Sequence, residues 1–237
     1  MTDKRKKIVA AFLLITAVGC FGIMGSILVS DGGNVGQYKT EKQSTKTTNK
    51  NKKKKWRNPI NWEKIQRVNP EVYAWIKVPD TVIDYPVLQP KNHDDDYYLH
   101  HNLQKKYSFA GCIYSRKDNA MDFSDDITVL YGHSMINGSM FAGIKKFSDE
   151  DFFEAHKTIY VYTTEAVYEY TIWAYCVTDD KDILSSYTKE SYYNAIKKEA
   201  EQIRKVNSNS QILTLSTCGT ASRTRRLLHC VLVGKHD

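Results

Sequence analysis

The sequence predicts a mostly-β domain, an antiparallel barrel or sandwich, carried behind one membrane-spanning helix. Three observations predict it. About eight segments rich in β-branched and aromatic residues recur between turns from Ala74 onward. Aromatic residues make up 12% of the 237-residue chain, with 16 Tyr, a composition that suits strands. An uncharged, mostly apolar run from Ile8 to Ser30 follows the basic residues Lys4, Arg5, Lys6 and Lys7.

Residues 1–7 read as a short cytoplasmic tail. The run over 8–30 approaches the roughly 20 residues a helix needs to cross the hydrocarbon core. It exceeds the roughly 7–15 apolar residues of a cleavable signal peptide, so it reads as an uncleaved signal anchor. Gly19-Cys20 would suit a lipoprotein signal, but the apolar run continues past Cys20 through Val29. The basic residues before the span place the N-terminus in the cytoplasm and the rest of the chain outside, a single-pass topology.

Residues 31–57 are Gly, Asn, Gln, Thr and Lys with almost nothing apolar, which predicts a disordered basic stalk. Before Asn58 there are 13 Lys/Arg against Asp3, Asp31 and Glu41. That stretch therefore carries +10 and the remainder −3, together the chain's +7. The basic excess sits off the folded part, which argues against a nucleic-acid partner.

The folded domain is expected over 58–237. Asn58-Pro59 with Ile60, Ile65 and Val68 predicts a short helix with Pro in its first turn, and a second turn follows Asn69-Pro70. Strands are expected at Ala74–Val78, Thr81–Val87, Gly111–Ser115, Ile127–Tyr131, Thr158–Thr163, Ala166–Thr178, Gln211–Ser216 and Arg225–Val233. Tyr162 to Tyr170 bends at Thr163-Thr164-Glu165 and reads as a hairpin. Asp149–Glu154 and Thr188 with Ser191 are helix-start signals. Lys189–Val206, with Tyr192, Tyr193, Ile196, Ala200 and Ile203 on one stripe, predicts a helix between late strands.

The chemistry-bearing residues lie at strand ends. Cys218 follows the apolar strand Ile212-Leu213-Thr214-Leu215 and precedes a small polar loop, Gly219 to Ser222. A cysteine at such a rim can attack a carbonyl if its thiolate is populated. Cys112 and Cys176 lie inside strand patterns and read as buried thiols. The five cysteines are widely spaced with no CxxC, so no zinc site is expected. His133 ends a strand in Tyr131-Gly132-His133-Ser134, where the glycine is expected to let the backbone turn sharply. Arg223, Arg225 and Arg226 follow the cysteine; a guanidinium there could lower a thiol pKa or hold an oxyanion.

Together these features resemble the sortase family, over about Asn58 to Lys235. The core of the resemblance is Thr214-Leu215-Ser216-Thr217-Cys218 followed by an Arg on the next strand, with Leu130-Tyr131-Gly132-His133 as the histidine motif. Ala74-Trp75-Ile76-Lys77-Val78-Pro79, Ile83-Asp84-Tyr85-Pro86-Val87, Asp96-Tyr97-Tyr98-Leu99-His100-His101, Gly138-Ser139-Met140-Phe141 and the late helix look like class B.

The resemblance implies an eight-stranded sortase-type β-barrel with N-terminal helices and a helix in the late inter-strand loop. It implies catalytic Cys218, His133 and Arg225, with Arg226 as the alternative. Ser216, Thr217, Gly219 and Leu99 are the implied substrate-binding residues. The implied reaction is a two-step acyl transfer. A C-terminal sorting signal of a surface protein is cleaved after Thr through a Cys218 thioacyl intermediate. The acyl group then passes to an amine of a lipid II-type peptidoglycan precursor. No cofactor or metal is implied; Asp94-Asp95-Asp96 and Asp125-Asp126 read as solvated turns. The implied place is the cell membrane of a Gram-positive bacterium, with the catalytic domain extracellular. The rival readings are a pilus-assembling sortase, an extracellular cysteine peptidase, and a binding module with an incidental cysteine.

Overall fold

Among the described residues, nine strands form one sheet, and eight of them close it into a barrel. The strands are β1 (Val72–Lys77), β2 (Asp84–Leu88), β3 (Ile113–Tyr114), β4 (Ile127–Tyr131), β5 (Thr158–Tyr162), β6 (Val167–Asp179), β7 (Ala200–Ile203), β8 (Ile212–Cys218) and β9 (Thr224–His236). The order β5-β1-β2-β3-β4-β8-β9-β6 returns to β5 through the β5–β6 hairpin. This computed structural model describes residues 35–40, 56–179, 183–207, 209–218 and 224–237. The expected tail, the expected anchor (8–30) and most of the expected stalk lie outside the described residues. Among those described, no helix is long and apolar enough to cross a membrane.

The expected all-antiparallel pairing needs correction. β2 pairs with β3 in parallel, and β4 pairs with β8 in parallel, while the other ladders are antiparallel. The hairpin is as expected, with Thr163 N donating to Ala166 O at 2.9 Å across its turn.

Helix α1 (Trp62–Val68) is capped by Asn61, whose side chain accepts from Lys64 N at 3.0 Å. The expected start at Asn58-Pro59 is therefore early. Pro59 lies before the helix and its carbonyl accepts from Thr40 N at 2.8 Å. Helix α2 (Glu150–Ala155) is capped by Asp149, α3 is the single turn Ile183–Ser186, and α4 (Lys189–Glu199) is capped by Thr188.

The late helix stops earlier than its apolar stripe suggested. Ala200 is already extended, and Ala200–Ile203 forms β7 on the edge of β6, with Ile203 opposite Ala174. The pairing satisfies backbone groups that the helix end would leave open. Ile203 points outward and is exposed, so it never belonged to the helix's buried face.

The strands are buried on both faces. Leu213, Leu215, Leu228 and Cys230 point into the barrel with Leu130, Phe141 and Ile172. Ile212, Leu227 and Val231 point outward under α4, against Tyr192, Ile196 and Trp173. On the opposite flank, Ile65 of α1 packs with Trp75, Leu88 and Tyr98. That flank also takes up part of the expected stalk. Val35–Tyr38 forms a short 3-10 helix, Tyr38 is 4% exposed in this cluster, and Lys39 bridges to Ile60.

Candidate active site

The parallel β4–β8 ladder decides which segments leave the sheet at the same end. Tyr131 is the register partner of Ser216, and Gly132 N donates to Ser216 O at 3.2 Å. Because the two strands run in the same direction, both chains leave at the same end of the sheet. His133 and Cys218 each stand two residues beyond that last pair. On the other side of β8, Cys218 is the register partner of Arg225, and Thr217 that of Arg226.

His133 is half-buried, and its Nε2 lies 3.0 Å from the Leu99 carbonyl. A carbonyl only accepts, so Nε2 donates. In the neutral ring Nδ1 is then the open acceptor. Phe109 stacks on the ring at 5.7 Å and 11°, and His100 lies tilted at 5.4 Å. Burial pushes the imidazole below its usual pKa. The charges of His100 and Arg225 act the same way, and the Leu99 hydrogen bond opposes them.

The glycine before His133 serves packing rather than a sharp turn. Gly132 has no positive φ, but a Cβ there would stand 2.4 Å from Ile113 Cδ1.

The two arginines diverge. The Arg225 side chain lines a cavity of about 20 Å³ with Ser216, Leu227 and His229, between the sheet and α4. That is room for about one water molecule. Arg226 alternates to the other face, is 9% exposed, and hydrogen-bonds Tyr175. Beside the cavity, His229 Nδ1 lies 3.0 Å from Thr214 Oγ1, which is 3.1 Å from the Tyr192 hydroxyl. Burial pushes the His229 pKa down to about 3.

The remaining expected residues separate. Ser216 lies beside Arg225. Leu99 meets the site through its backbone, on His133. Thr217 is 2% exposed, so its side chain does not line an open groove as expected; strand alternation turns it toward the barrel. Gly219 and Arg223 lie outside the described residues. Asp95 meets Lys117, Asp96 accepts from Tyr114 and Arg116, and Asp126 meets Lys189. Among the described residues no group of three or more His, Cys, Asp or Glu could hold a metal ion. Cys112, Cys176 and Cys230 are buried. Burial pushes the first two thiols up to about 12 and the third well above its usual value, which leaves them inert.

Sequence reasoning missed the Leu99 carbonyl, the Phe109 stack and the His229–Thr214–Tyr192 relay. A backbone contact 34 positions away leaves no trace in residue type. His100 stood in a recognised segment, but nothing in that segment announced its closeness to His133.

Residues 76–233 match the family model described as Sortase domain. Sortase B of Listeria monocytogenes is 38% identical over 171 residues, which cover 66% of this chain and 66% of that protein. The X-ray structure of Clostridium perfringens sortase B is similar at a TM-score of 0.66 and 35% identity, over 73% of this chain and 99% of that one. A Streptococcus pyogenes class B sortase involved in pilus biogenesis is similar at a TM-score of 0.67 and 27% identity, over 73% of this chain and 97% of that one.

Proposed function

Because the chain belongs to the sortase family of cysteine transpeptidases, with class B members as its relatives, we propose that it cleaves the C-terminal sorting signal of surface proteins after Thr and transfers the acyl group to an amine of a peptidoglycan precursor. The observation that supports this reading is the register: Cys218 is the partner of Arg225, and His133 follows the strand paired in parallel with β8.

In the proposed reaction the Cys218 thiolate attacks the threonine carbonyl. Arg225, with a backbone N–H near Gly219, stabilises the oxyanion of the tetrahedral intermediate. His133, as imidazolium, protonates the leaving amine through Nδ1, because Leu99 engages Nε2. The C–N bond breaks and a thioester to Cys218 remains. The acceptor amine then attacks the thioester, His133 Nδ1 takes its proton, and the thiolate leaves. Ser216 beside Arg225 and the segment at Leu99 flank the substrate. Acyl transfer of this kind requires no metal or organic cofactor.

Arg225 rather than Arg226 takes the oxyanion role in this reading. It shares the cavity with Ser216 and its charge reaches His133, whereas Arg226 is engaged with Tyr175. The run 8–30 anchors the enzyme in the cell membrane, with the N-terminus inside and the catalytic domain outside. The stretch of positive charge before Asn58 keeps the basic excess next to the anchor.

A second reading is favoured by one relative, the S. pyogenes class B sortase involved in pilus biogenesis. In that case the acceptor is a lysine of a pilin subunit. An extracellular cysteine peptidase, with water as acceptor, is the remaining rival. A peptide-library assay read by mass spectrometry separates the three. Amine-dependent ligation supports the transpeptidase reading, ligation to a pilin lysine supports the second, and hydrolysis unaffected by any amine supports the peptidase.

A further inference from the structure

Glu71 sits immediately before β1, is 4% exposed, and has no part in the reaction above. A buried carboxylate is costly unless its oxygens are well satisfied. One Glu71 oxygen accepts from the Tyr98 hydroxyl. The other meets Lys105 Nζ at 3.0 Å and Lys91 N at 3.4 Å. Asn69 completes the network: its Nδ2 donates to the Tyr98 hydroxyl at 2.9 Å and to Leu103 O at 3.0 Å, and its Oδ1 accepts from Glu71 N at 3.0 Å. These bonds hold Glu71 ionised, below the usual carboxylate range, against the opposing effect of burial.

Most of that network grips one segment, Tyr98 to Lys105. The residue after Tyr98 is Leu99, whose carbonyl holds His133. The same carbonyl is confined from another side. Gly111 has φ +58°, and a Cβ there would stand 2.3 Å from Leu99 O. Cys112 N also donates to Tyr98 O at 2.8 Å. The carbonyl is thus fixed by a buried side-chain network on one side and by a bare backbone on the other.

We propose that Glu71, Tyr98 and Gly111 are positioning residues for His133, which fix the Leu99 carbonyl and so leave Nδ1 as the nitrogen that exchanges protons. The inference rests on the reading of His133 as the acid–base residue. A neutral carbonyl in the orienting place has a chemical consequence. It selects the tautomer as a triad carboxylate does, without adding a negative charge beside the ring. The ring then meets Leu99 O, the Phe109 face and His100, and feels the charge of Arg225, with no described carboxylate among them.

The test uses the full chain with Tyr98→Phe, Glu71→Gln, Gly111→Ala and His133→Ala. Three readouts are taken: kcat and KM on a cleaved sorting peptide, the ¹⁵N imidazole signals of His133, and the pH profile of Cys218 alkylation by iodoacetamide, resolved by peptide mass. For Tyr98→Phe, kcat falls about tenfold while KM stays within about twofold, as expected when a catalytic group is displaced and substrate binding is untouched. The His133 signals change from the Nε2–H form to a mixture of tautomers, and the alkylation profile moves to higher pH. Glu71→Gln keeps an acceptor for Tyr98 and retains more activity than Tyr98→Phe. Gly111→Ala matches or exceeds the Tyr98→Phe loss; if it does not fold, Tyr98→Phe decides alone. The proposal is overturned if Tyr98→Phe lowers only the melting temperature and leaves kcat, tautomer and alkylation profile unchanged. If His133→Ala is itself active, the acid–base reading fails instead.

Discussion

Cys218 and Arg225 are register partners across the β8–β9 ladder, and the neighbouring pair is Thr217 with Arg226. One position of register therefore separates an arginine on the rim from one engaged with Tyr175.

This relationship predicts opposite outcomes for two adjacent substitutions. Arg225→Ala should lose about 10²–10³ in kcat, the cost of removing one oxyanion donor. Arg226→Ala should stay near wild type in turnover but lose about 1–3 kcal/mol of stability, because the buried Tyr175 hydroxyl loses its cation. Steady-state kinetics and urea denaturation on both variants check this. A larger kinetic loss for Arg226→Ala would move the role to Arg226.

His100 is exposed and lies 5.4 Å from His133, and its charge disfavours a second positive charge there. Removing it should raise the His133 pKa, since one of the two repelling cations is gone. A proton NMR titration of the His133 ring in His100→Asn should show a midpoint above that of the wild type. An unchanged or lower midpoint would show that the two rings do not interact in solution.

Acid should destabilise the domain through His229. Its pKa is about 3 in the folded state, against an ordinary value of about 6.5 once unfolded. The folded value is depressed, so below pH 6.5 the unfolded chain binds a proton that the folded chain refuses. This contribution is complete above about pH 6.5 and is lost at about 1.4 kcal/mol per pH unit as pH falls toward 3. Denaturation midpoints between pH 7 and 4.5 should fall less steeply in His229→Gln than in the wild type. Parallel slopes would mean that His229 takes up its proton without unfolding.

The parts of this site differed in how readable they were. Ile127–Tyr131 and the strand leading to Cys218 were legible because apolar and β-branched residues mark strands locally. His133 and Cys218 stood out because each follows such a strand and falls in a family motif. That both segments leave the sheet at one end depends on β4 and β8 pairing in parallel, a long-range choice that no local period records. The extent of α4 was misread because Ala200 and Ile203 continue its period while their backbone joins β6. Tyr38 was missed because a single aromatic in a polar tract gives no pattern, although it buries beside Ile60.

In the proposed reaction Cys218 carries the acyl group. The most direct measurement is the mass of the full chain after brief incubation with a cleaved sorting peptide, followed by digestion. An acyl adduct is expected on the peptide containing Cys218, with its disappearance when an amine acceptor is added, and neither adduct nor product from Cys218→Ala. Cleavage or transfer by the alanine variant, or an adduct on another residue, would contradict it.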